Sequence, residues 1–348
     1  MRTVRIGGNF VGENNICFII AEAGVNHNGS IHKAKKMVEV AKACGADAVK
    51  FQTFTAERLV TSTAEKAPYQ KEQTDDGSQF DMLKSLELTS SEFTTLAKHA
   101  EKTGIMFLST PFDQESADFL ETLEIAAYKI SSGDLTNLPM LKHIARKAKP
   151  MILSTGMGDI GEVNSAISTI TQAGLKEIIL LHCVTSYPAP LESLNLKAIT
   201  TLREAFDFPV GFSDHTTDVL APVIARALGA CVIEKHFTLD KNLPGPDHKT
   251  SLTPQILEEM ITTIRKVELA LGDGIKKPAE IEIGLKSIVQ RSIVAKADIS
   301  VGKILEENML DVKRPGTGIA PKFLDDIIGK RSKTQIKKDQ LITWEMIE

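Results

Sequence analysis

The chain has 348 residues, 42% hydrophobic and 25% charged, with a net charge of −4. That length suits about two domains of roughly 150 residues, or one barrel with an addition. The mild acidity gives no reason to expect nucleic acid or an acidic membrane as partner, so an anionic ligand has to be held by a local cluster of cations.

Residues 1–16 hold a short alternating segment and Gly7–Gly8, the pattern of a hairpin. Phe18–Ala21 is an apolar run expected of a parallel strand buried on both faces. A helix is predicted from Ser30, with Ile31, Ala34, Met37, Val38 and Ala41 on one face and Gly45 as its stop. After a second strand comes a polar stretch, 55–80, containing KAPYQKEQTDDG. Long loops in compact domains are usually functional lids or disordered; this one leaves the catalytic end of the barrel, so a lid or interface role is expected. Thr89 and Glu92 match a capping box ahead of the stripe Phe93, Leu96, Ala97 and Ala100, and Gly104 closes that helix. Ile160, Val163, Ile167 and Ile170 mark another helix, stopped by Gly174. Thr253–Pro254 opens the last long one, with the apolar set Ile256, Met260, Ile264, Val267 and Leu271. The expected boundaries are a barrel over 1–273, a linker over 274–286 and a small domain over 287–348.

Eight strand-like segments end in polar, reactive side chains: FIIAEAG, AVKFQTF, MFLSTPF, AYKISSG, MILSTGM, IILLHCV, VGFSDHT and CVIEKHF. Most precede a helix-like segment, the pattern of an α/β protein with a (β/α)8 TIM barrel, whose chemistry sits at the carboxyl ends of the strands. Cys17, Cys44, Cys183 and Cys231 form no C-x-x-C pair and read as buried, reduced thiols. The start, MRTVRIGGN, lacks the apolar core of a signal peptide, and no apolar run approaches a membrane span of roughly 20 residues. The expected compartment is the cytoplasm.

Side chains alternate along a strand, so parity sorts the strand ends. Glu234 and His236 share a face and Lys235 points away; Ser213 pairs with His215 in the same sense, and Lys50 with Gln52. His215 and His236 end neighbouring strands. Two imidazoles, with water in the other positions, suit a divalent metal such as Mn, Co, Fe or Zn; the alternative is a pair of core histidines. Lys50 and Lys129 at the barrel mouth suit a phosphate or carboxylate, with Ser132, Ser154 and Ser213 as hydroxyl donors. Glu22 is a candidate acid, base or electrostatic stabiliser, or else a salt-bridge partner of Lys50. No G-x-G-x-x-G follows a strand, so a dinucleotide fold has no support. Cations, a possible metal and a carboxylate fit metal-assisted carbon–carbon bond formation better than redox chemistry.

The motifs IIAEAGVNHNGS, VKFQTF, STPFD, KISSGD, ILSTGM, LLHCVTSYPAP, GFSDHT, EKHFTLD, PGPDHKTSL and KRPGTGI occur in this order along nearly the whole chain. In them the chain resembles the sialic acid (N-acetylneuraminate, nonulosonate) synthase family, and its tail resembles the antifreeze-like (SAF) domain of those enzymes. The resemblance implies condensation of phosphoenolpyruvate with an N-acetylated mannosamine-type sugar, with C–O cleavage of the phosphoenolpyruvate and release of phosphate. It implies a divalent metal on His215 and His236, Mn2+ first, with Mg2+ or Co2+ as alternatives. Glu22 and Glu234 join these histidines as the implied catalytic set. Phosphoenolpyruvate would be held by Lys50, Lys129, Ser132, Ser154 and Ser213, with Thr110 and Thr185 nearby. Gln52, Tyr187 and Asp247 would bind the sugar, Asp134 bordering it, and Arg314 would bind an N-acetyl group from the partner of a domain-swapped homodimer. Some members carry Asn where Thr185 stands and Glu where Asp134 stands. The AEAGVNHNGS, KAPYQ and HCVTSYPAP forms look most like the N,N'-diacetyllegionaminate synthase subgroup. The competing reading is a pyruvate aldolase on the same barrel, using the metal or a Schiff base on Lys50 or Lys129.

Overall fold

All eight expected strand endings are strand ends in the computed structural model, which describes residues 2–74 and 76–348. The chain divides into two units, Met1–Gly272 and Asp273–Glu348. In the first, strands β1 (Val4–Ile6) and β2 (Asn9–Val11) pair as the expected hairpin. The barrel strands follow: β3 (Phe18–Gly24), β4 (Ala48–Thr53), β5 (Met106–Pro111), β6 (Tyr128–Ile130), β7 (Met151–Ser154), β8 (Ile178–Cys183), β9 (Val210–Asp214) and β10 (Val232–His236). Their parallel sheet runs β5-β4-β3-β10-β9-β8-β7-β6, and β5 packs beside β6 to bring the barrel nearly to closure.

Two apolar layers follow from the parity of each strand. Inside, Ile20, Leu108, Ile152, Ile179, Leu181 and Val232 pack together, and Val4, Ile6 and Val11 of the hairpin join them where the strands begin. The hairpin therefore plugs the amino-terminal end of the barrel. Outside, Ile19, Val49, Phe51, Leu153, Leu180, Phe212 and Ile233 meet the helix stripes. The floor is thus hydrocarbon, and polar side chains can gather only at the carboxyl ends.

The helices start and stop where their caps dictate. Ser30 Oγ accepts from the Lys33 amide ahead of helix Ile31–Ala43, and Thr89 and Glu92 cap helix Ser90–Thr103 reciprocally, with left-handed Gly104 at its end. Helix Pro254–Leu271 differs in detail. It buries Leu257, Met260, Ile261 and Ile264, whereas Ile256 and Val267 are half-buried and Leu271 is exposed. Met260 and Ile264 of the expected set are buried, and Leu257 and Ile261 complete the stripe in place of Ile256, Val267 and Leu271.

The stretch 55–80 is not a structureless loop. It carries helices Ala56–Leu59 and Pro68–Gln73 and leads into Gln79–Leu86; Asp75 lies outside the described residues. Nor is 274–286 extended throughout: helix Glu280–Val289 begins within it, with the Glu282 carboxylate accepting from the Ala279 amide at 2.8 Å. Beyond it, strands β11 (Ser292–Ala295) and β12 (Leu310–Lys313) pair antiparallel over a core of Ile293, Ile299, Leu305, Ile319, Ile336 and Ile342. The four cysteines are free and buried. Among the described residues no helix is long and apolar enough to cross a membrane.

Candidate active site

At the carboxyl ends of the strands the barrel opens into a cavity of about 340 Å³. Its base is a buried cluster of two lysines and two glutamates. Strand pairing sets it up: β3–β4 register places Glu22 opposite Lys50, and β9–β10 register places Ser213 opposite Glu234. Lys50 Nζ lies 2.7 Å from Glu22 Oε2 and 3.7 Å from Glu234 Oε2, and donates to Thr110 Oγ1 at 2.9 Å. Lys129 Nζ lies 3.3 Å from Glu234 Oε1, which also accepts from Ser213 Oγ at 2.9 Å. Gln52 Nε2 reaches Glu22 Oε1 at 3.4 Å. Burial pushes the Glu22 carboxyl up against the pull of Lys50. For Glu234, burial acts in the same direction, but Lys129 and Lys50 outweigh it and hold the carboxyl low. The cluster holds two positive and two negative groups and has no net charge of its own.

The histidines stand above this base. His236 is in register with Glu22 across the β3–β10 ladder. His215 Nδ1 donates to Val184 O at 2.8 Å, which leaves Nε2 to accept from the Tyr187 hydroxyl at 2.9 Å. The two imidazole centroids are 5.5 Å apart, and Tyr187 packs against both rings. His236 Nδ1 is buried without a hydrogen-bond partner, and Asp247 Oδ2 is 3.9 Å away. Burial, then His215 and Lys50, keep His236 neutral, the form that binds metals. Burial also raises Asp247, to about 6. Among the described residues no group of three or more His, Cys, Asp or Glu side chains is arranged to hold a metal. His236, whose Nδ1 has no hydrogen-bond partner, and His215, whose Nε2 would exchange the Tyr187 hydroxyl for the metal, are the candidate donors. Such a pair fits a divalent ion that takes its other ligands from water and substrate.

Lys235 confirms the parity argument from the opposite face. It is fully buried outside the cavity, ion-paired with Asp214, and donates to Thr216 O at 2.6 Å and Thr216 Oγ1 at 2.9 Å. That staple ties the loop bearing His215 to the strand bearing His236.

On the other side, Ser132, Ser154 and Thr185 line the cavity at the ends of β6, β7 and β8. Gly156 allows this convergence: a Cβ there would sit 2.3 Å from Thr185 Oγ1 and 2.7 Å from Ser132 Oγ. Its amide donates to Ser132 Oγ at 3.0 Å, while Ser154 Oγ is buried with no partner. Gly24, with φ of 53°, brings the β3 end within a methyl group's reach of Glu22, His236 and Gln52.

Thus Glu22, Lys50, Gln52, Thr110, Lys129, Ser132, Ser154, Thr185, Tyr187, Ser213, His215, Glu234, His236 and Asp247 all line one cavity. Asp134 does not: its carboxylate turns to Ser131 Oγ at 2.9 Å and Asn137 Nδ2 at 3.1 Å, bracing the turn behind the cavity. Arg314 belongs to the second unit, where it follows β12 and is exposed. The stretch 55–80, for which a lid or interface role was expected, supplies Leu59, Val60, Tyr69 and Gln70 to one wall of the cavity, and Met82 and Leu83 complete it; these individual residues were not anticipated. One signal was available: Tyr69 is one of only three tyrosines, set in a polar stretch, and it stacks on Tyr187 with centroids 5.0 Å apart.

With this geometry in place, the likeness to other proteins is decisive. Residues 37–276 match the NeuB family and residues 290–348 match the SAF domain. The chain belongs to the NeuB family. It is 50% identical to the N,N'-diacetyllegionaminic acid synthase of Campylobacter jejuni, across 93% of this chain and 98% of that one. To the enzyme of that name from Legionella pneumophila it is 47% identical, across 97% and 96%. The solved N-acetylneuraminic acid (sialic acid) synthetase of Leptospira borgpetersenii, in complex with citrate, superposes with a TM-score of 0.74 at 34% identity, covering 82% of this chain and 95% of that one.

Proposed function

We propose that this NeuB-family chain condenses phosphoenolpyruvate with an N-acetylated mannosamine-type sugar, giving a nine-carbon keto acid and phosphate. The observation that carries the reading is the division of one cavity into an anion-holding arc (Lys129, Ser132, Ser154) and a paired-imidazole end beside Glu22. The relatives named N,N'-diacetyllegionaminic acid synthase support 2,4-diacetamido-2,4,6-trideoxymannose as the acceptor.

His215 and His236 would hold a divalent cation, Mn2+ first, which when bound polarises the carbonyl of the open-chain sugar. The other steps fall to the chain. Lys50, Lys129 and the serine hydroxyls hold the phosphate and carboxylate so that C3 of phosphoenolpyruvate faces the aldehyde. The new bond joins C3 to the aldehyde carbon, and positive charge develops at C2 beside Glu22. Glu22 stabilises that charge and orients the water that adds to C2. Breaking the C2–O bond then releases phosphate and leaves the keto group. Arg314 would complete the sugar site from the second unit of a partner chain in a homodimer.

The test is phosphate release with phosphoenolpyruvate, the diacetamido sugar and Mn2+, Mg2+ or Co2+ in parallel. Activity should require a metal and fall at least ~100-fold in His236→Ala. Turnover that survives exhaustive chelation overturns the metal's role. Covalent trapping with pyruvate and borohydride would favour an aldolase instead. For the dimer, mixing inactive His236→Ala and Arg314→Ala protomers should restore part of the activity; no recovery after dissociation and reassociation refutes the shared site.

A further inference from the structure

Outside its polar base, the cavity has a wall with no charge. Leu59, Val60, Met82, Leu83 and Leu86 come from the segment between β4 and β5, and Phe112 follows β5. Met82 and Leu86 also pack with Val25 and Phe54 in a small core of their own, which holds the wall in place. Beside it stand two side-chain amides, Gln70 and Gln79, joined by a hydrogen bond of 3.1 Å. The lysines among the described lining residues are Lys50 and Lys129, both at the strand ends and both ion-paired.

We infer that this wall selects the acceptor sugar by receiving a methyl group where other acceptors carry a hydroxymethyl or a phosphate. The inference rests on the synthase reading. There the strand-end arc takes the phosphoenolpyruvate and the imidazole pair marks the reacting carbonyl. The rest of the sugar must then extend along the remaining side of the cavity. A hydroxymethyl group set against Leu83 would lose water without gaining a partner, and a phosphate would do so at far greater cost. A 6-deoxy carbon buries there with no such penalty, and acetamido groups find amides at the edge of the wall. The occupant this surface fits is therefore a 6-deoxy, acetamido-substituted sugar, and Leu59, Val60 and Leu83 are its specificity determinants.

The test uses the full chain with phosphoenolpyruvate and Mn2+, measuring phosphate release with three acceptors: 2,4-diacetamido-2,4,6-trideoxymannose, N-acetylmannosamine and its 6-phosphate. Leu59 and Leu83 are half-buried, so Leu59→Asn and Leu83→Asn should fold, which thermal melts check, and Leu83→Met serves as the conservative variant. The parent should favour the trideoxy sugar by at least ~10-fold in kcat/KM, the scale of discrimination by an apolar contact. Leu83→Asn should raise KM for that sugar about 10-fold, with kcat within about 2-fold and N-acetylmannosamine within about 3-fold, and Leu83→Met should restore it. Phosphate release with a parent preference for N-acetylmannosamine, an equal loss on every acceptor, or unchanged KM in both Asn variants overturns the inference alone. No phosphate from any acceptor in the parent overturns the synthase reading, and this inference with it.

Discussion

Glu234→Gln tests the charge balance at the base of the barrel. Glu234 lies 3.3 Å from Lys129 and 3.7 Å from Lys50, and all three side chains are nearly inaccessible. The substitution keeps shape and leaves Ser213 a partner, but removes one of two negative charges facing two positive ones. Leaving a buried charge uncompensated costs about 3–5 kcal/mol. In a unit of this size, each kcal/mol lowers Tm by roughly 2–4 °C, so a fall of about 6–20 °C is expected. The same change makes the cavity net positive, so an anion should bind more tightly. Thermal melts of parent and variant across a series of inorganic phosphate or phosphoenolpyruvate concentrations read both effects. The variant should melt lower without ligand and gain more from it than the parent does. A variant Tm within about 2 °C of the parent would refute the claim that the cluster must balance. Equal protection by phosphate would refute its link to anion binding.

The staple behind the histidines should be as sensitive. Lys235→Met strands a buried Asp214 and should cost about 3–5 kcal/mol in denaturant unfolding, and adding Asp214→Asn should recover part of that; strict additivity of the two losses would contradict it. Gly156→Ala places a methyl against Thr185 Oγ1 and Ser132 Oγ, so it should cost about 1–3 kcal/mol of stability and raise KM for phosphoenolpyruvate at least ~10-fold; an unaltered KM would remove these hydroxyls from the substrate site. Burial lowers His27 from 6.5 to about 4, and its Nδ1 already accepts from the Gly29 amide at 3.1 Å. Between those values the unfolded chain binds the extra proton and the folded one does not. His27 therefore favours folding fully above about pH 6.5, and roughly 3 kcal/mol is lost as the pH falls toward 4. The Tm of His27→Asn should depend less on pH across that window; an identical slope would assign the acid sensitivity elsewhere.

The sequence exposed the barrel because parallel strands buried on both faces leave a strong local mark, an apolar run that turns polar at its end. Glu234 and Lys235 show how far parity carries: adjacent residues, one in the cavity and one behind it, were assigned to the correct faces from alternation alone. What stayed hidden depended on contacts between distant segments. Asp134 sits among cavity residues in sequence, yet two hydrogen bonds within its own turn direct it away. The wall of Leu59, Val60 and Leu83 was hidden because Leu59 and Val60 sit at the end of a four-residue helix and Leu83 in an eight-residue one, both too short for a sustained period to mark the inward face. The helix Glu280–Val289 begins inside the expected linker 274–286, although Ile281, Leu285, Ile288 and Val289 stand at helical spacing; the Gly, Lys and Pro residues just before it outweigh that short period.

The neutrality of the base also constrains how the proposed reaction is assembled. Lys50 and Lys129 are the cations of the lining, and each is already matched by a glutamate. An enol phosphate with its carboxylate brings about three negative charges, and a buried site cannot accept them against a net charge of zero. In the proposed reaction the bound metal would supply the balancing charge. With a divalent cation on His215 and His236, substrate and metal should bind with positive cooperativity. Phosphoenolpyruvate should therefore bind measurably tighter with Mn2+ present than without it, even in the absence of any sugar. Calorimetric titration with and without the metal decides the point, and equal affinities would mean that the charge is balanced by some other route.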